Sequence, residues 1–254
     1  MLNIRSYQEV LSDRRAVAFS LAGFVARLPL SMTGIGIVLL VSLTTGSFGL
    51  AGLLTAAGTL TGAVVAPLWG RAIDRVGQAR VLLAAAVINV LSVAVLVRAI
   101  ELAWPLAVSV VAAIGVGVGF SMAGSAVCAR WTLRLNGSPL LNTAFALEAM
   151  LDEVVFIIGP VLVTFLATAF HPALGISVSA VIGFIGAVAL AVQRSTQPQI
   201  QATPRDGRAG SSGLPWRVLV PSPSRVLPSA WCLGAWRSMS SPLQKRLVSF
   251  GMPA

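Results

Sequence analysis

Charge is what this sequence has least of. Only 10 % of its 254 residues are Asp, Glu, Lys or Arg, against about 25 % in a soluble domain of ordinary composition. With 56 % hydrophobic residues and a mean hydropathy of +0.88, the chain falls in the membrane class. Cysteine and histidine are scarce too. Cys128 and Cys232 stand far apart, and His171 is the single histidine. Disulfide frameworks and zinc sites need more such residues at closer spacing, so no metal and no cofactor is expected. The apolar runs hold no His-Glu metal motif and no G-x-S-x-G elbow, which disfavours an intramembrane enzyme. An ATP-driven pump is unsupported, because no G-x-x-x-x-G-K-[ST] loop occurs. The net charge of +10 is not carried on a basic helix with interleaved aromatics, so nucleic acid is excluded as a partner.

What the sequence has in abundance is apolar length. A spanning helix needs about 20 mostly apolar residues to cross a hydrocarbon core of roughly 30 Å. Six stretches qualify: 16–43, 48–69, 81–100, 104–127, 143–170 and 173–193. They are far too long for barrel strands, and backbone groups in lipid must be satisfied within the segment, so helices are expected. Arg14 and Arg15 ahead of the first run resemble the start of a signal peptide. The run is too long for one, contains Arg27 and Pro29, and lacks an A-x-A-like cleavage site. It therefore reads as a first span retained in the mature protein. The expected fold is an all-α membrane protein: a cytoplasmic segment 1–15, a six-helix transmembrane domain 16–193, and a basic tail 194–254.

The connecting segments sort by charge. Arg5, Arg14 and Arg15, then Arg71, Arg75 and Arg80, then Arg130 and Arg134, then Arg194 fall on one side. The other side has Thr44–Ser47, the Arg98/Glu101 turn and His171–Pro172. Arginine excess marks the cytoplasm, which places both ends of the six-helix block inside, in the plasma (inner) membrane. Trp69 and Trp104 stand where interface anchors are expected. Gly58 and Gly62 in the second span, and Gly115 and Gly119 in the fourth, have the spacing that lets helix backbones approach closely.

Between the second and third spans lies GRAIDRVGQARVLL, residues 70–83. As mechanics, Gly70 lets a helix end approach a neighbour, and Gly77 permits backbone angles other residues resist. Asp74 can accept from a helix N-terminus, where the dipole favours negative charge. Arg71, Arg75 and Arg80 can pair with it or with anionic lipid. An ordinary positive-inside loop would need the arginines but neither the aspartate nor the glycine spacing. The stretch resembles the signature loop of the major facilitator superfamily, G-x-x-x-D-R-x-G-R-R. Gly70, Asp74, Arg75 and Gly77 match in place. Gln78 and Ala79 replace two basic residues, and Arg80 follows one step later. The resemblance covers residues 1–193 and implies the amino-terminal half of a secondary transporter, with this loop as a latch on the cytoplasmic side.

Charge inside the spans is the other signal. Arg27 lies about eleven residues into the first span, roughly 16 Å deep at 1.5 Å per residue. An arginine near mid-bilayer costs at least about 2.5–3.5 kcal/mol, so it should face protein or water and have a partner. In the fifth span, Glu148 and Asp152 are four apart and share a face, while Glu153 points about 100° away. Asp152 matches Arg27 in depth, and Glu148 is expected nearer the cytoplasmic mouth. Two readings stand: a proton relay lining the path, or a static ion pair joining two helices. Three acids against one arginine exceed what a purely structural pair needs. Gly159–Pro160 further along resembles the Gly-Pro element of the family's exporter signature, without its surrounding glycines, and tilts the expectation toward efflux. Taken alone, Pro160 requires only a helix kink. Arg98 and Glu101 are expected to snorkel at the outer interface.

After Gln193 the character changes. Residues 194–254 hold eight of the fourteen prolines, and eight basic residues against Asp206 alone. Such composition predicts disorder, and no apolar run there reaches 18 residues. Two origins are open: a natural tail adhering to anionic lipid, or, as the residue bias favours, a frameshifted or truncated product lacking the family's second half. Function is expected to be secondary transport of a small solute, coupled to protons, with lipid as the surrounding partner and pairing with a second half or copy. The alternative is a non-transporting remnant or membrane scaffold.

Overall fold

The computed structural model describes residues 4–119 and 122–193, within one compact unit, Met1–Ala202. The tail expected over 194–254 lies outside these residues. Among the described residues every regular element is a helix: α1 Ile4–Leu11, α2 Arg14–Thr45, α3 Phe48–Val76, α4 Gln78–Glu101, α5 Leu106–Val118, α6 Ala123–Arg134, α7 Leu140–Ala169 and α8 Pro172–Val192. Six spans are long and apolar enough to cross a membrane, with α5 and α6 together forming the fourth.

The helices begin and end where local chemistry directs. Asp13 caps α2, accepting from the Arg15 backbone N–H at 3.0 Å, and Ser47 caps α3 by accepting from Leu50 N–H at 3.2 Å. Gly46 between them takes φ 72°, the left-handed turn that ends a helix and that glycine adopts without a Cβ penalty. His171 caps α8 through Nδ1, which accepts from Ala173 N–H at 3.3 Å, and Pro172 follows as a first helical residue with no N–H to lose.

One expectation about the helices is corrected. Most ends extend beyond the apolar runs, because polar residues such as Arg14, Gln78 and Asp74 continue a helix as readily as they flank one. Within the described residues the fourth span comprises α5 and α6; α5 packs on α3 and α4, whereas α6 packs on α2 and α7. The segment 1–15 contains the helix α1, whose Val10 is buried in the core.

Helix α2 is the hub, packing on α8, α7, α3 and α6. Lipid tails are as apolar as leucine, so such contacts depend on close fit rather than on hydrophobic expulsion. Small residues supply that fit. A Cβ on Gly186 of α8 would collide with the Ala26 backbone of α2, and one on Gly117 of α5 would collide with the Gly58 carbonyl of α3. Gly115 and Gly119 press against Ser92 and Asn89 of α4. The core divides into three clusters: one around Leu40, Leu54, Leu96 and Ile176, another around Phe19, Leu82, Val127 and Trp131, and a small one of Leu28, Met32, Val155 and Val163. Coverage is uneven. In the most apolar eighteen-residue window, 17 % of α7 and 22 % of α3 is buried, against 39–50 % in the other four spans.

Ion pairs close both ends. At the arginine-rich end Asp13 pairs with Arg134, joining the start of α2 to the end of α6. At the opposite end Arg98 lies 3.7 Å from Glu101, which His171 approaches at 4.0 Å. Burial alone would raise the Asp13 carboxyl. Hydrogen bonds from Arg134 and the Arg15 N–H, with the Arg134 charge, outweigh it and hold Asp13 below the ordinary aspartate value. A depressed carboxylate stabilises the fold fully above its unfolded value and loses that contribution as pH falls through the folded one. Asp13→Asn should therefore be slightly less stable than wild type at neutral pH, with the gap narrowing as acid protonates the wild-type carboxyl. Thermal unfolding followed by circular dichroism of detergent-solubilised protein across pH measures this, and a gap independent of pH would contradict it.

Candidate functional site

The intramembrane charges assemble around Arg27, which is 2 % exposed. Three groups engage its guanidinium. Nε donates to the Gly23 carbonyl at 3.1 Å, Nη2 pairs with Glu148 Oε2, and Nη1 lies 2.8 Å from Asp152 Oδ1. The two carboxylates differ in surroundings. Glu148 is 2 % exposed, whereas the Asp152 side chain is 46 % exposed. Helix α7 brings both to α2 because they are one turn apart on the same face. Glu153, the next residue, lies on the open side and is not among Arg27's partners.

Glu148 is sealed by neighbours from two other elements. Ser20 Oγ of α2 donates to Oε1 at 2.5 Å, and Trp131 Nε1 of α6 donates to the same oxygen at 2.8 Å. Phe19 packs edge-on against the Trp131 ring, with centroids 4.8 Å apart and planes at 68°. Sequence reasoning missed Ser20 and Trp131. Their signal was faint: a hydroxyl and an indole N–H inside or beside apolar runs, each needing an acceptor once buried.

The turn joining α3 and α4 differs from a loop. Helix α3 continues through Val76, so Gly70, Arg71, Asp74 and Arg75 are helical and α4 resumes at Gln78. The reversal falls on Gly77 alone, with φ 96° and ψ 151°, a region that side chains with a Cβ resist. Nothing lies within 4 Å of a Cβ placed on Gly70, so within this unit that glycine serves no close approach. Asp74 does not cap α4, which has no side-chain cap. Asp74, Arg71, Arg75 and Arg80 are exposed and form no ion pair among the described residues. The turn is tied down instead by Gln78. Its amide donates to the Ala126 carbonyl at 3.1 Å and accepts from Arg130 Nε at 2.8 Å.

Arg130 is thus a second correction. Rather than lying in a polar connection, it is 1 % exposed within α6 and also donates from Nη2 to the Leu190 carbonyl of α8 at 2.8 Å. Trp69, half-buried, donates to the Val118 carbonyl at 2.7 Å and links α3 to the end of α5.

In the second half of α7, Gly159 is buried and a Cβ there would collide with Ser31 of α2, whose hydroxyl donates to the Val155 carbonyl at 2.9 Å. The helix continues through Pro160 to Ala169. Gly159 therefore has a packing role where α2 crosses α7, and Pro160 is accommodated without ending the helix.

Six spans around a buried arginine–carboxylate cluster, joined at one end by a glycine-reversed basic turn, define a multi-pass helical membrane protein. The family model of the Major Facilitator Superfamily matches residues 19–253, and the chain belongs to that family, whose members are transporters rather than enzymes. The match runs past residue 193, where the resemblance read from the motifs stops. Among curated proteins and solved structures, nothing matches.

Proposed function

We propose that the six spans form one wall of a proton-coupled secondary transporter for a small solute, with Asp152 as the group that takes up and releases the proton. The observation that carries this reading is the asymmetry around Arg27. One counter-ion is sealed, and the other, one helical turn further along α7 and at the depth expected for Arg27, is half open. Charge exposed at that depth cannot face lipid cheaply, which favours a water-filled path or a protein surface beside it. The low coverage of α3 and α7 leaves surface for an opposing wall. Substrate in carriers of this kind sits near the midplane between two such bodies, which rock against each other. The second body is a further six-helix half or a second copy of the chain. Gly159–Pro160 favours efflux as the direction. The arginine-rich end faces the cytoplasm of the plasma membrane, with Gly70, Asp74, Arg75, Gly77 and Arg80 as its latch.

The experiment is reconstitution of the full chain into vesicles loaded with a pH-sensitive dye, with a panel of small solutes and an imposed proton gradient. Solute flux that collapses with the gradient is expected. Flux indifferent to it, or none with any solute, would remove proton coupling or transport respectively. A reporter fused after Arg80 should be accessible from inside only; exposure outside would reverse the proposed orientation.

A further inference from the structure

Resting on that reading of the Arg27 cluster, we propose that Trp131 and Ser20 are positioning residues that keep Glu148 ionised as Arg27's fixed counter-ion, so that Asp152 alone exchanges the proton. The argument is one of donors and acceptors. Glu148 Oε1 accepts from Ser20 Oγ and Trp131 Nε1, and Oε2 accepts from Arg27. An indole N–H and a guanidinium can only donate. All three bonds are strongest to a charged acceptor, so together they favour the carboxylate of Glu148 over the neutral acid, whereas Asp152 receives a single such bond. Ser20 could rotate to accept; Trp131 could not.

Asp152 is not so constrained. One oxygen meets Arg27 Nη1, and the half-exposed side chain leaves room for an O–H on the other. The charged groups bearing on it are Arg27 from α2 and Glu148 and Glu153 from its own helix. With Glu148 permanently balancing Arg27, protonation of Asp152 changes the net charge of the cluster without breaking the pair that joins α2 to α7.

Trp131 can hold this position because α6 is fastened on several sides. Its neighbour Arg130 bonds Gln78 and the Leu190 carbonyl, and Arg134 pairs with Asp13. The indole itself is 2 % exposed. The glycine-reversed turn, through Gln78, is thus tied to the same helix as the group that sets the protonation pattern of the cluster.

Infrared difference spectra of the full chain in lipid discs, recorded across a pH titration, report carboxyl protonation directly and need no solute. Glu148→Gln and Asp152→Asn assign the bands. In wild type, a band removed by Asp152→Asn and none removed by Glu148→Gln is expected. Trp131→Phe should add a second titrating band that disappears in Trp131→Phe/Glu148→Gln. Ser20→Ala, which disturbs packing least, should move the Glu148 response in the same direction and covers the case in which the tryptophan variant does not fold. Titration of Glu148 in wild type, or folded Trp131→Phe and Ser20→Ala with wild-type spectra, overturns the assignment. If the bands behave as expected yet vesicles move no solute, the division of labour stands and transport falls. Proton-driven flux with a titrating Glu148 would instead leave transport standing and remove the division of labour.

Discussion

Asparagine in place of Asp152 is expected to reduce proton-driven flux to that of empty vesicles while leaving the chain folded and inserted. Asn retains the size of Asp and an oxygen that can accept from Arg27, but it has no proton to exchange. Because the side chain is 46 % exposed, little packing depends on it. The charge of Arg27 stays balanced by Glu148. Folding cost should therefore be small, within the roughly 0.5 kcal/mol typical of substitutions away from the core. The two effects separate cleanly. Flux is measured in vesicles under an imposed proton gradient, and insertion by protease protection and circular dichroism of the same preparation. A normal yield of folded chain with full gradient-dependent flux would show that the proton travels elsewhere. Loss of both would reassign Asp152 to structure.

Much of the bundle is legible in the sequence because the membrane imposes a length rule that apolar runs obey. Each of the six runs corresponds to a span, and the family motif around Gly77 marks where the second turns into the third. The errors share one physical cause. Polar residues beside an apolar run look like loop, yet Gln78, Arg130 and Trp131 are buried, because helices continue past the hydrocarbon and pack on one another there. Helical depth arithmetic brings Arg27 and Asp152 to one level. It says nothing of what covers Glu148, since distance along an axis does not report burial. Ser20 and the α6 indole supply that cover from segments remote in sequence. Likewise, a free glycine at position 70 could not be told from a tightly packed one without knowing what lies opposite.

Arg27→Met should be the most destabilising single change in the described bundle. It leaves the Glu148 carboxylate buried among Ser20, Trp131 and apolar side chains with no countercharge. Removing one partner of a buried pair typically costs about 3–5 kcal/mol, a large share of the roughly 5–15 kcal/mol that holds a domain together. Glu148→Gln should cost less, for two reasons. Gln keeps an oxygen for Ser20 and Trp131, and Arg27 retains Asp152 at 2.8 Å. The informative comparison is the double variant Arg27→Met/Glu148→Gln. Removing both charges while keeping the acceptor eliminates the unbalanced ion, so much of the loss from Arg27→Met alone should be recovered. Denaturant titration of the four proteins in mixed micelles gives the coupling directly. Additive losses would mean that the two residues do not stabilise one another, and the cluster could no longer be read as a sealed pair with one open carboxylate.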